Sequence, residues 1–107
     1  MSTVMALHIA ADHPAFAGHF PGMPVVPGVV LLDEALFAIA AALELRLERC
    51  TLTTVKFRGS ARPGQPLSLR FESARPGSVR FAIEAAGRLV AEGAVALASQ
   101  DDSGHGR

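Results

Sequence analysis

The chain has 107 residues, ten basic and ten acidic side chains and a formal net charge of zero; half of it is hydrophobic and 19% is charged. That length allows one domain, the apolar content excludes a disordered chain, and neutrality argues against general nucleic-acid binding, which needs a basic excess. No stretch of ~18 apolar residues is free of charge, so no membrane insertion is expected. A domain this small buries only ~60–70% of the surface of its unfolded chain, so a second subunit would help it.

The charges are unevenly spread. Residues 1–55 carry two basic and five acidic side chains (−3), residues 56–88 seven and two (+5), and residues 89–107 one and three (−2). A basic middle either solvates the outer face of a sheet or docks an acidic partner. Cys50 stands alone, so the fold needs no internal disulfide and no oxidising compartment. It has no activating neighbour in sequence and reads as structural. No basic region followed by an apolar block opens the chain, so the cytoplasm is the expected location.

In chain order, residues 3–10 alternate, with Met5, Leu7 and Ile9 on one side, and predict a strand. Residues 11–27 hold four prolines with Gly18 and Gly22, which predicts a long ordered loop. Loops of that length in small domains are often functional. Gly28 then opens a helix over residues 29 to about 49, rich in Ala, Leu and Glu. Residues 29–43 are almost entirely apolar on every side, the mark of a helix buried all round, interrupted by Asp33 and Glu34. Beyond the helix the period becomes two. Thr51, Thr53, Val55 and Phe57 alternate with Leu52, Thr54, Lys56 and Arg58, and two further strands carry Leu67, Leu69, Phe71 and Val79, Phe81, Ile83. Residues 89–98 make the last strand. Turns fall at Arg62-Pro63-Gly64, Arg75-Pro76-Gly77 and Ala86-Gly87. Residues 99–107 read as a flexible polar tail. The result is one α+β domain over residues 1–98, an antiparallel sheet wrapped around one long buried helix. Its exposed sheet edges are expected to pair across a two-fold axis in a dimer.

Two residues stand out chemically. His19 sits in the proline-rich loop, and Asp33 in the first turns of the helix, on the side of Phe37 and Ala40. A carboxylate in apolar surroundings must be paired, hydrogen-bonded or protonated, and beside a loop histidine it could serve as half of an acid–base pair. The ordinary alternatives are a surface histidine and an acid that answers the helix dipole, worth ~0.3–1 kcal/mol. Spacing alone does not choose between them. His13 and His19 match no tight ligand spacing, so no metal is expected.

The stretch His19-Phe20-Pro21-Gly22-Met23-Pro24-Val25-Val26-Pro27-Gly28-Val29-Val30-Leu31-Leu32-Asp33 resembles the signature of the β-hydroxyacyl-acyl carrier protein dehydratases. Lys56-Phe57-Arg58-Gly59-Ser60-Ala61-Arg62-Pro63-Gly64 and, more weakly, Gly87-Arg88-Leu89-Val90-Ala91-Glu92-Gly93 extend the resemblance over most of residues 13–97. It implies a hotdog fold, normally dimeric, that dehydrates β-hydroxyacyl thioesters to trans-2-enoyl thioesters in fatty acid or related polyketide-type synthesis. It also implies that His19 and Asp33 are catalytic and come from different subunits. The Gly28 amide, at the positive helix end, would hold the thioester carbonyl. Phe20, Val25, Pro27, Leu32 and Phe37 would line an acyl tunnel. The partner would be acyl carrier protein, docked on Arg58 and Arg62, and no cofactor is needed beyond the carrier's phosphopantetheine arm. The dimer is expected between identical chains, with a heterodimer as the variant.

The sequence departs from that family at Phe37, where a Gln commonly follows the acid by four residues, at Glu34, usually a small residue, and in a shorter segment ahead of the first motif. The alternatives are a hotdog thioesterase, because one fold hosts several chemistries, or a non-catalytic acyl-binding subunit that completes a heterodimeric site.

Overall fold

The computed structural model describes residues 2–9, 26–62 and 64–98. Most of the proline-rich loop, including His19, Phe20 and Val25, lies outside the described residues, as do Pro63 and the tail 99–107. Strand β1 (Ser2–Leu7) precedes helix α1 (Gly28–Ala42), a single 3-10 turn (Leu47–Arg49), and strands β2 (Cys50–Phe57), β3 (Leu67–Arg75), β4 (Ser78–Ala85) and β5 (Arg88–Leu97). The strands form one antiparallel sheet in the order β1-β3-β4-β5-β2. β1 and β2 are its edges.

One face of the sheet carries the core. Leu69, Phe71, Val79, Phe81, Ile83 and Val95 are buried there, and their neighbours along each strand, such as Arg70 and Arg80, point to water. The alternation is that of an antiparallel sheet with one wet face. Against it α1 lays Leu31, Ala35 and Ile39, spaced four apart and no more than 2% exposed. Ile39 has no exposure at all, and truncating such a residue to alanine costs ~2–5 kcal/mol. No helix among the described residues is long and apolar enough to cross a membrane.

Three expectations are corrected. The helix is not buried all round: Val29 and Phe37, with Asp33 between them, are exposed. One five-stranded sheet covers a single flank of a helix, whatever the composition of the other flank. The helix also ends at Ala42 rather than near residue 49. Leu45 N–H donates to the Ala40 carbonyl (2.8 Å) and Glu44 N–H to the Ala41 carbonyl (3.2 Å), with Glu44 at φ 57°. That crossed pair is a Schellman cap, with a glutamate in the left-handed position that usually takes glycine. Finally, β2 does not alternate evenly. A bulge between Leu52 and Thr54 sets Leu52 opposite Val95 and Val55 opposite Gly93, so Leu52 and Val55 share the core face. An inserted residue reverses the parity of everything after it.

Gly93 accommodates that bulge. A Cβ on it would collide with the Thr54 carbonyl oxygen and stand 2.9 Å from Phe81 Cζ. The Ala86-Gly87 turn has both residues at positive φ (53° and 77°), the signature of a type I′ hairpin that matches strand twist. Cys50 opens β2 half-buried, its thiol donating to the Arg46 carbonyl (3.9 Å). Burial pushes that thiol up from its usual range, which makes it a poor nucleophile.

Candidate active site at the helix N terminus

Pro27 sets the start of α1. Its backbone is extended (φ −58°, ψ 143°), and its carbonyl accepts from the N–H groups of Val30 (3.0 Å) and Leu31 (3.3 Å). The amides before Val30, those of Gly28 and Val29, have no acceptor within the helix. Among the described residues no side chain caps this end, and no acid lies in the first turn. Among the described residues the helix therefore presents donors without acceptors at the positive end of its dipole, an arrangement suited to an oxygen that gains negative charge.

A half-exposed aromatic ring borders that end. A Cβ on Gly28 would lie 2.7 Å from Phe57 Cζ and 2.9 Å from Cε1. What limits a larger residue here is thus the ring at the close of β2 rather than backbone dihedrals. Phe57 is 52% exposed, so one edge faces the helix and the other faces outward. The sequence did place Phe57 in a recognisable motif, but nothing in period-two alternation said that its ring meets the helix start.

Asp33 follows Gly28 by five residues, a rise of about 7.5 Å along the helix. It lies on the exposed flank with Val29 and Phe37, 64% and 65% exposed. The expectation of a buried acid therefore does not hold within one chain, and Ala40, expected on the same side, is buried instead. Pro27 and Leu32 are half-buried. A pocket of about 520 Å³ lies on the sheet's outer face, among Thr54, Lys56, Arg70, Arg80 and Glu92. A second, of about 500 Å³, lies between Ser60, Arg62, Gly64, Gln65 and Arg88.

The basic middle divides into two groups. Arg58 Nε pairs with Glu92 Oε2 (3.0 Å) and Arg70 Nη2 with Glu84 Oε2 (3.0 Å). These are exposed pairs worth ~0–1 kcal/mol, and with Lys56 and Arg80 they belong to the solvated face. Arg62 is exposed, beyond the end of β2. Among the described residues no group of three His, Cys, Asp or Glu side chains converges as metal ligands would.

One helix packed on a five-stranded antiparallel sheet is the arrangement of a hotdog-fold protein. The chain belongs to the ApeI-like family, described as ApeI dehydratase, which it matches over residues 1–94. It is 32% identical to the 3-hydroxyacyl-acyl-carrier-protein dehydratase FabZ of Chlamydia trachomatis serovar L2, over 86% of this chain and 69% of that one. The FabZ of Polynucleobacter asymbioticus is 34% identical over 90% and 72%. Among solved structures, the dehydratase heterocomplex ApeI:P from Xenorhabdus doucetiae superposes with TM-score 0.72 at 22% identity, over 92% of this chain and 88% of that one. The fluoroacetyl-CoA thioesterase FlK superposes with TM-score 0.64 at 15% identity, over 98% and 90%. At those identities the two structures speak for the fold.

Proposed function

We propose that the protein dehydrates β-hydroxyacyl thioesters carried on acyl carrier protein, giving trans-2-enoyl thioesters and water. The observation that carries this reading is the helix start. Among the described residues the amides of Gly28 and Val29 have no acceptor at the positive end of α1, and Asp33 follows within about 7.5 Å of helix rise. The Gly28 N–H holds the thioester oxygen as negative charge develops on it. His19, as neutral imidazole, takes the α-proton. The β C–O bond then breaks, and the hydroxyl leaves with the proton of Asp33 as water. No cofactor enters beyond the phosphopantetheine arm that brings the substrate. Retention of an intact thioester in the product separates this reading from hydrolysis, which would release a free acid.

The site needs a second subunit. Val29, Asp33 and Phe37 form an exposed stripe, and the other flank of α1 is filled by its own sheet. The acyl tunnel therefore runs along the outer flank, under Phe37 and Leu32, and is closed by a partner that supplies His19 across the interface. We read the partner as a second copy of this chain, joined at a sheet edge, with a heterodimer as the variant that native mass spectrometry distinguishes. Arg62 contributes to carrier docking, and Arg58 contributes less because Glu92 already holds it. The test is mass-spectrometric product analysis with a β-hydroxyacyl carrier thioester. The expected result is the enoyl product from wild type and loss of at least 100-fold in turnover for His19→Ala and Asp33→Asn. Release of free acid instead, or equal turnover in wild type and both variants, refutes the reading.

A further inference from the structure

The pocket between Arg62 and Arg88 has no part in the chemistry above, yet it is built from donors. Arg88 opens β5, directly after the type I′ turn, and its Nη2 donates to the Ser60 carbonyl (3.2 Å). Its guanidinium occupies the space that a side chain on Gly59 would need: a Cβ there would stand 2.8 Å from Arg88 Nη1. The guanidinium is thus held in place before any ligand arrives. On the opposite wall, the Arg62 N–H donates to Gln65 Oε1 (3.0 Å) and the Gln65 N–H to the Arg62 carbonyl (3.1 Å). Each of these internal bonds uses an acceptor. The pocket of about 500 Å³ is lined by Arg62 and Arg88 together with Ser60, Gly64 and Gln65, so both arginines border it.

Among the described residues no carboxylate lines this pocket. Of the arginines in the basic middle, Arg58 and Arg70 each have a glutamate at 3.0 Å, whereas among the described residues neither Arg62 nor Arg88 has an acidic partner. Two arginines that border one pocket, with no acidic partner among the described residues, favour a ligand that brings an anion, and a planar guanidinium suits phosphate oxygens in pairs. The pocket also sits beside the helix start. The Ala61 carbonyl accepts from Val26 N–H (2.8 Å), two residues before Gly28, and Phe57 touches Gly28 itself. From Phe57 to Arg62 the backbone spans at most roughly 17 Å.

We propose that Arg62 and Arg88 form a phosphate-ester site that grips the phosphate at the far end of the substrate's pantetheine arm, with the thioester end at Gly28. This deepens the dehydratase reading by naming what anchors the arm, and it rests on that reading for the identity of the ligand. The anion can arrive as the phosphodiester of a carrier protein or as the phosphates of coenzyme A.

The test is binding, which needs no turnover. Calorimetric titration of the whole protein with 4′-phosphopantetheine and with pantetheine should show at least a tenfold preference for the phosphorylated arm. That preference should vanish in Arg88→Ala and, independently, in Arg62→Ala, an exposed position whose side chain makes no hydrogen bond or ion pair among the described residues. A wild-type preference below about threefold, including no measurable binding of either arm, overturns the proposal, as does a folded variant that keeps the full preference. Kinetics then separate the sources. A KM increase of tenfold or more in Arg88→Ala with carrier-linked substrate alone assigns the carrier phosphodiester, and the same increase with coenzyme A thioesters as well assigns any phosphorylated arm. A protein that binds the phosphorylated arm selectively but forms no enoyl product would sink the dehydratase reading and leave this site standing.

Discussion

Replacing Gly28 with alanine separates what the helix start does for stability from what it does for chemistry. The backbone there is helical, so the added methyl carries no dihedral penalty, and alanine gains up to ~1 kcal/mol over glycine in a helix interior, less at the first position. Against that, the methyl would lie 2.7 Å and 2.9 Å from two atoms of the Phe57 ring, which must swing aside. The ring is 52% exposed, so displacing it forfeits about half of the ~1.5–3 kcal/mol that full burial of such a side chain contributes. The two effects nearly cancel, and thermal unfolding should shift by less than the ~4–8 °C that 1 kcal/mol produces in a domain of this size. Activity should behave differently. A methyl beside the N-terminal amide keeps the thioester oxygen from its donor, and losing one such donor costs ~10²–10³ in turnover. Enoyl formation followed by mass spectrometry, beside a circular-dichroism melt, reads both quantities. Turnover above about a tenth of wild type, with the fold intact, would refute the role of the Gly28 amide. The double variant Gly28→Ala/Phe57→Ala closes the remaining escape: restored turnover would mean that the methyl acts only by pushing the ring.

Gly93→Ala should destabilise the protein by about 2–4 kcal/mol, because the new methyl meets the Thr54 carbonyl, part of the backbone bulge, and the buried Phe81 ring together; a urea midpoint close to wild type would contradict this. Glu44→Gly relieves a left-handed residue at the helix C-terminal cap and should stabilise by ~0.5–1 kcal/mol, read from the same denaturation curves. Ala86→Asn should stabilise by a similar amount, since asparagine tolerates the positive φ that the type I′ turn imposes. Burial raises the Cys50 thiol, so less thiolate is present at any pH below its titration; alkylation by iodoacetamide at pH 8 should run several-fold slower than for an exposed cysteine.

Much of the architecture was legible because the signals were local and redundant. β3 and β4 each carry three apolar residues at a spacing of two between glycine-containing turns, and they form where that pattern puts them. The misses share a cause as well. Glu44 is a good helix former, and only the crossed bonds to Ala40 and Ala41 reveal that the chain has turned left-handed there. The bulge at Thr53 is invisible to a parity argument, because Thr51, Thr53, Val55 and Phe57 alternate without fault in the sequence. What betrays it is Gly93 on the neighbouring strand, a glycine in mid-strand where no turn is needed. Likewise Arg62 and Arg88 are 26 positions apart, and only the path of the chain past Ser60 brings them to one pocket.

The largest misreading, the helix buried on every side, has a different origin and carries more weight for function. Hydrophobic patterning reports that a side chain leaves water, and it is silent about which chain covers it. Leu31, Ala35 and Ile39 are covered by their own sheet, whereas Val29 and Phe37, equally apolar, stand in solvent in the isolated chain. Exposed apolar residues scattered singly need no explanation. Two of them flanking an acid on one helix stripe form a surface that a partner can cover. The polar exception in that stripe is Asp33. An acid in the middle of a surface made to be covered is costly once covered, and a protein retains such a cost where the acid performs chemistry. The apolar excess that first looked like a fully buried helix therefore supports both a second subunit and a catalytic acid, and the same residues support them together.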